Sequence, residues 1–145
     1  MRLINVFFSL IVLTTYSYSG YAQKVKFNKG DVLVDNVAWL KYDGCGTFDS
    51  TCSLMDFNGE ELMFMNVVVV EGVNPPTKLN RQGDLTYKQI TFLGLDRKIE
   101  LQVSDKKVIE ILYKAKILAG GKLDPDRVDI LVEKYGTPFS DRFNR

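Results

Sequence analysis

The sequence predicts an α+β fold: an antiparallel sheet of about 6-7 strands, built as a meander of hairpins, with a C-terminal helical hairpin packed on one face. Three observations carry this reading. Short apolar runs, most of them alternating with polar residues, recur between residues 24 and 103, separated by turn-forming pairs. Beyond residue 104 the apolar spacing lengthens from two to three and four, the helical period. The stretch 52–70, CSLMDFNGEELMFMNVVVV, ends in a strand apolar on both sides, which requires cover from later in the chain.

Residues 1–22 are read as a secretory signal. Arg2 precedes an apolar run over 3–13, and the small residues Gly20 and Ala22 stand where a signal peptidase reads. That run is well short of the ~20 residues of a membrane-spanning helix, which disfavours an uncleaved anchor. No cysteine lies near the cleavage point, as a lipoprotein would need. The expectation is one α+β domain over 23–145, exported to the periplasm, envelope or extracellular space, without a transmembrane segment.

The whole chain carries 19 basic and 18 acidic residues, and Arg2 is the only charged residue of the leader, so the mature chain is balanced. A nucleic-acid binder normally carries a basic excess on one face, whereas these charges are interspersed. The remaining ~123 residues bury somewhat over ~60% of the surface that the unfolded chain exposes. Neither a metal nor a dense disulfide framework is required for folding.

Residues 24–28 alternate, Val25 and Phe27 against Lys24 and Lys26, and end at Lys29-Gly30 as an edge strand. Strands over 32–34 and 37–42 flank Asp35-Asn36, a two-residue turn pair poorer than Asn-Gly. Trp39, the only tryptophan, is expected in the core because of its large apolar surface; a ligand-stacking platform is the alternative.

Residues 43–52 are rich in turn formers and close a hairpin. Cys45 and Cys52, the only cysteines, stand near its two ends, and in an exported chain they most simply form a disulfide. Closing so short a loop contributes on the order of 2.5 kcal/mol, a staple rather than a function. A redox pair would favour Cys-x-x-Cys at a helix start. Zinc through nitrogen and sulfur lacks partners, since the chain has no histidine and no third cysteine.

Asn58-Gly59 between two apolar runs predicts a two-residue type I′ turn, whose central residues both need positive φ. The resulting register sets Phe57 opposite Glu60, Met55 opposite Leu62 and Ser53 opposite Phe64, with Leu54 and Met63 on the other face. In the strand that follows, Leu62, Phe64, Val68 and Val70 point one way and Met63, Met65, Val67 and Val69 the other. It is therefore expected to be central and covered on both faces.

Residues 71–84, EGVNPPTKLNRQGD, have no pattern, and Pro75-Pro76 cannot pair in a central strand. A loop this long is mobile or used for contact. In the contact reading Lys78, Arg81 and Gln82 form one wall of a binding surface. Residues 85–93 and 98–103 make the last hairpin, with Ile99, Leu101 and Val103 alternating with Lys98, Glu100 and Gln102, so the face that carries these three polar residues is expected to be wet.

Ser104 caps a predicted helix over 105–119 with the stripe Val108, Ile111, Leu112, Ala115 and Leu118, and Gly120-Gly121 stops it. Glu110 and Lys114 pair on its polar side. Asp124-Pro125 opens a second helix over 125–135, whose stripe is Val128, Leu131, Val132 and Tyr135; Gly136 and Pro138 end it. Phe139 and Phe143 lie four apart and either clip the tail down or fray.

No catalytic, cofactor-binding or metal-binding residue is assigned. Without histidine, Ser-His-Asp and Cys-His arrangements are impossible. Ser104-Asp105-Lys106-Lys107 fits the letters of a Ser-x-x-Lys site and is better explained as a helix cap. Residues 56–60 resemble the opening of a calcium loop, but the glycine falls at position four where an EF-hand needs it at six. Nothing selects a pair among the acids for glycosidase-type work. The expected function is that of an exported, non-enzymatic protein that binds an unidentified protein or surface ligand. A structural accessory subunit of an envelope assembly is the second reading, and a hydrolase using paired carboxylates the third.

Overall fold

The computed structural model describes residues 22–143, so the predicted leader lies outside the described residues but for Ala22. Seven strands follow one another in space as they do in sequence: β1 (Val25–Asn28), β2 (Asp31–Val34), β3 (Val37–Gly44), β4 (Thr51–Met55), β5 (Glu61–Val70), β6 (Leu85–Phe92) and β7 (Arg97–Leu101). Each neighbouring pair is antiparallel. Two helices, α1 (Asp105–Lys114) and α2 (Pro125–Tyr135), complete the α+β architecture. Between them β8 (Leu118–Ala119) and β9 (Lys122–Leu123) form a two-stranded hairpin.

The first two turns follow from local chemistry. Lys29 and Gly30 have φ of 50° and 88°, and Asp35 and Asn36 of 52° and 65°. Both central residues at positive φ match the right-handed strand twist. In β3, Leu33 faces Ala38 and Val32 faces Leu40, so Trp39 is the extra residue of a bulge. Leu40 takes the buried position. Trp39 instead lies half-buried at the margin of the core, edge-to-face on Tyr113 of α1 at 5.3 Å.

One continuous core unites both layers. Val25, Val32, Leu40, Leu54, Met63, Ile90, Phe92 and Ile99 from the strands cluster with Val108, Ile109, Leu112, Val128 and Leu131 from the helices. α1 lies against β1 and α2 against β7, the opposite edges of the sheet. Lys88 of β6 fixes the start of α1 through an ion pair with Asp105 at 2.5 Å and a bond to the Val103 carbonyl.

Three expectations are corrected. Asn58 does not take positive φ; Gly59 does, at 86°, and its N–H donates to the Asp56 carbonyl. The turn is therefore centred on Phe57-Asn58 and followed by a glycine bulge. Its cause is the Asp56 carboxylate, buried and accepting from the N–H groups of Asn58 and Glu60 at 2.8 and 2.9 Å. Met55 consequently faces Glu61 instead of Leu62, while Ser53 opposite Phe64 and Leu54 opposite Met63 hold; the spare residue, Leu62, enters the core beside Met63.

Second, β5 is central but its faces are unequally covered among the described residues. Met63 and Met65 are buried in the core shared with the helices, while Phe64, Val68 and Val70 on the other side are half-buried.

Third, α1 stops at Lys114, and Lys116 adopts φ 53°. Gly120 and Gly121, both at positive φ, form the turn of the β8–β9 hairpin rather than a helix stop. Ile117 is completely buried and its carbonyl accepts from the Asp124 N–H at 2.7 Å. Anchoring this residue redirects the chain before Leu118 could extend the helical stripe.

The tail crosses to the outer face of the sheet. The Glu100 N–H donates to the Gly136 carbonyl, Phe139 stacks on Tyr87 at 5.1 Å, and Glu100 is buried beneath with 2% exposure. One Glu100 oxygen accepts from the N–H groups of Phe139 and Ser140 at 2.9 and 3.0 Å, the other from Gln89 at 3.4 Å. Burial pushes the Glu100 carboxyl up, but the hydrogen bonds from Ser140, Phe139 and Gln89 outweigh it and hold the group below the usual carboxylate range. Phe139 thus clips the tail, whereas Phe143 stays largely exposed.

Glu100→Gln is expected to cost about 1–2 kcal/mol in urea unfolding at neutral pH. Because the folded pKa lies below the unfolded value of about 4.3, the stabilisation is complete above that value and is lost as pH falls through the folded pKa. The deficit of the variant should therefore shrink below about pH 4.

Candidate contact surface at the loop end of the sheet

In a meander, alternate connections share an end of the sheet. The β3–β4 loop and the β5–β6 loop open toward the same end, two strand spacings (roughly 10 Å) apart across the sheet but offset along it, since Cys52 faces Met65 while β5 runs on to Val70 opposite Leu85. The β1–β2 turn lies at the same end.

The shorter loop is tied at both levels. Strand pairing runs up to Gly44 opposite Cys52, and the Cys45 N–H then donates to the Thr51 carbonyl. The Cys45 and Cys52 sulfurs are at disulfide distance, with Cα atoms 4.4 Å apart and Cys52 buried. Above this neck the Asp49 carboxylate accepts from the Gly46 N–H at 2.9 Å, and the Asp49 N–H returns a bond to the Gly46 carbonyl. This turn pushes Phe48 out at the tip, where it is fully exposed (101%).

The longer loop, 71–84, is laced by its own polar groups. Its neck is closed by the Asn74 N–H on the Gly83 carbonyl and by the Asn74 and Asn80 side chains, both donating to the Asp84 carbonyl at 3.0 and 2.7 Å. The Asp84 N–H donates back to Asn80 Oδ1. An inner turn pairs Thr77 with Asn80 through backbone and side chain. Asparagine supplies donor and acceptor on one short side chain, so two such residues replace the missing ladder bonds. Leu79 sits at the tip with 100% exposure.

Lys78, Arg81 and Gln82 all lie exposed on this loop, around Leu79. Among the described residues neither Lys78 nor Arg81 forms an ion pair. Sequence reasoning missed the two tips and the asparagine lacing. A lone apolar residue inside a turn-rich stretch, Phe48 or Leu79, is the signal that could have marked them.

The buried acids are occupied elsewhere. Asp56 organises the β4–β5 turn and Glu100 anchors the tail, and Glu100 is held ionised rather than raised as a general acid requires. Among the described residues no group of three or more cysteines and carboxylates gathers as a metal site. Comparisons with family models, curated proteins and solved structures find no match for this chain.

Gly83 is the position on which the loop neck turns. It has φ +71°, and a Cβ there would come within 2.1 Å of the Asn74 carbonyl oxygen. Gly83→Ala should cost more than about 2 kcal/mol and open 71–84 to limited proteolysis. Gly59→Ala, also at positive φ but with nothing within 4 Å, should cost only about 1 kcal/mol.

Proposed function

We propose that the protein is an exported, non-enzymatic binding protein that takes a protein or surface ligand on the loop end of its sheet. The observation that supports this is the full exposure of Phe48 and Leu79, each at the tip of a loop at this end of the sheet. Two large apolar side chains, fully exposed and touching nothing in the fold, stand on neighbouring loops that are both held in shape. Loops fixed by a rigid scaffold are where recognition concentrates, and loops ordered in advance lose less entropy on binding. Export is supported by the leader pattern of residues 1–22 and by the cysteine pair at disulfide distance, an arrangement typical of oxidising compartments. An accessory subunit is the form this reading takes when the contact is permanent, and stoichiometry separates the two.

The test is crosslinked affinity capture of the tagged mature protein from its native envelope, with Phe48→Ser/Leu79→Ser as comparison. Burying either side chain contributes about 1.5–3 kcal/mol, so the double variant should lose its partner by well over ten-fold while its thermal midpoint stays within error. Capture that is unchanged in the variant would remove the loop end as the contact surface. N-terminal sequencing should start at Gln23, and mass spectrometry of the unreduced chain should find no blockable thiol.

A further inference from the structure

A second surface lies on the helices. α1 and α2 together line a cleft of about 420 Å³, within the range of small-ligand sites. Each helix brings a cation at both ends of a seven-residue stripe: Lys107 and Lys114 on α1, Arg127 and Lys134 on α2. Seven residues of helix place the members of each pair about 10.5 Å apart along the axis. Between them the floor is apolar, made by Ile111, Leu131 and Ile130, the last 59% exposed to solvent.

The charges are unequally satisfied. Glu110 bridges Lys107 at 3.0 Å and Lys114 at 2.6 Å, and these two bonds hold its carboxyl below the usual range. Arg127 has no carboxylate within ion-pair distance among the described residues; nor has Lys134, whose ammonium sits 5.3 Å over the Tyr135 ring. The α2 rim thus offers two free cations beside an exposed isoleucine.

We propose that this cleft binds a free single-chain carboxylate, its head on Arg127 at one end of the α2 stripe and its apolar chain along Ile111, Ile130 and Leu131 toward Lys134. Size and charge select this occupant. A footprint of roughly 10 by 10 Å is far below the ~800 Å² per partner of a stable protein interface, yet it suits one acyl chain. The rim carries four cations and one carboxylate, so it favours an anionic head. A guanidinium matches a carboxylate with two parallel bonds. Glu110 on the opposite rim makes a doubly charged head the poorer fit. The cleft and the loop end lie on different elements, so failure of either proposal leaves the other standing.

Calorimetric titration of the mature protein with octanoate, decanoate and dodecanoate, each below its micellar concentration, tests this. One saturable site is expected, tightening up to about four-fold per added methylene. Decyltrimethylammonium should bind at least ten-fold more weakly than decanoate. Arg127 and Lys134 are both exposed, so Arg127→Gln/Lys134→Gln should fold normally while weakening decanoate about ten-fold. Equal binding of the cationic amphiphile, or unchanged binding by the double variant, would overturn the proposal. So would a response to anionic vesicles without one to free decanoate, which would assign the cleft to a membrane surface.

Discussion

Two helices that touch opposite edges of one sheet impose the constraint from which the rest follows. Six strand spacings of about 4.8 Å would hold β1 and β7 nearly 30 Å apart in a flat sheet. Two helices side by side reach only about 20 Å across. Since α1 lies on β1 and α2 on β7, curling of the sheet would bring both edges within reach of the helices. The bulges at Trp39 and Leu62 supply bends, because an extra residue on one strand increases local twist and coil. Each bulge also serves the core: one turns Trp39 to the Tyr113 edge and leaves Leu40 inside, the other puts Leu62 beside Met63.

Curling leaves the convex side without a helical layer, and the tail answers part of that deficit. A buried carboxylate is costly unless its oxygens are satisfied. Glu100 meets that condition only because residues 139 and 140 bring two N–H groups over it and Gln89 brings a third donor. The same strand position would be an ordinary wet residue if the chain ended at Gly136. The tail thus converts an outward glutamate into an anchor and shields the β7 edge by the Gly136 bond.

How much of this was legible depended on the range of the interactions. Turn pairs such as Asp35-Asn36 and helix starts such as Ser104 and Asp124-Pro125 are decided within four residues, and they read correctly. The Asn58 turn failed because a carboxylate two residues earlier competes for its N–H, a local signal that the Asn-Gly rule ignores. The end of α1 failed because Ile117 is claimed by the core, which no periodicity over 105–119 reveals. Glu100 was read as solvent-facing, since its donors lie about forty residues downstream. In the candidate surface, Lys78, Arg81 and Gln82 were legible as a polar loop. The prominence of Phe48 and Leu79 was not, because the meander topology alone brings their loops to one end.

That topology also explains why a chain without an evident catalytic group can still present organised surfaces. A meander returns to the same end every second strand, so successive loops of that end lie two strand spacings apart across the sheet without further design. The energy that remains to be supplied is the entropy of holding them. Here the cysteine pair and Asp49 hold one loop, and Asn74 and Asn80 hold the other, all by contacts confined to the loops themselves. The tips are therefore free to vary without disturbing the core. An apolar residue at each tip exposes its whole surface to water, and the contact proposed above would account for it.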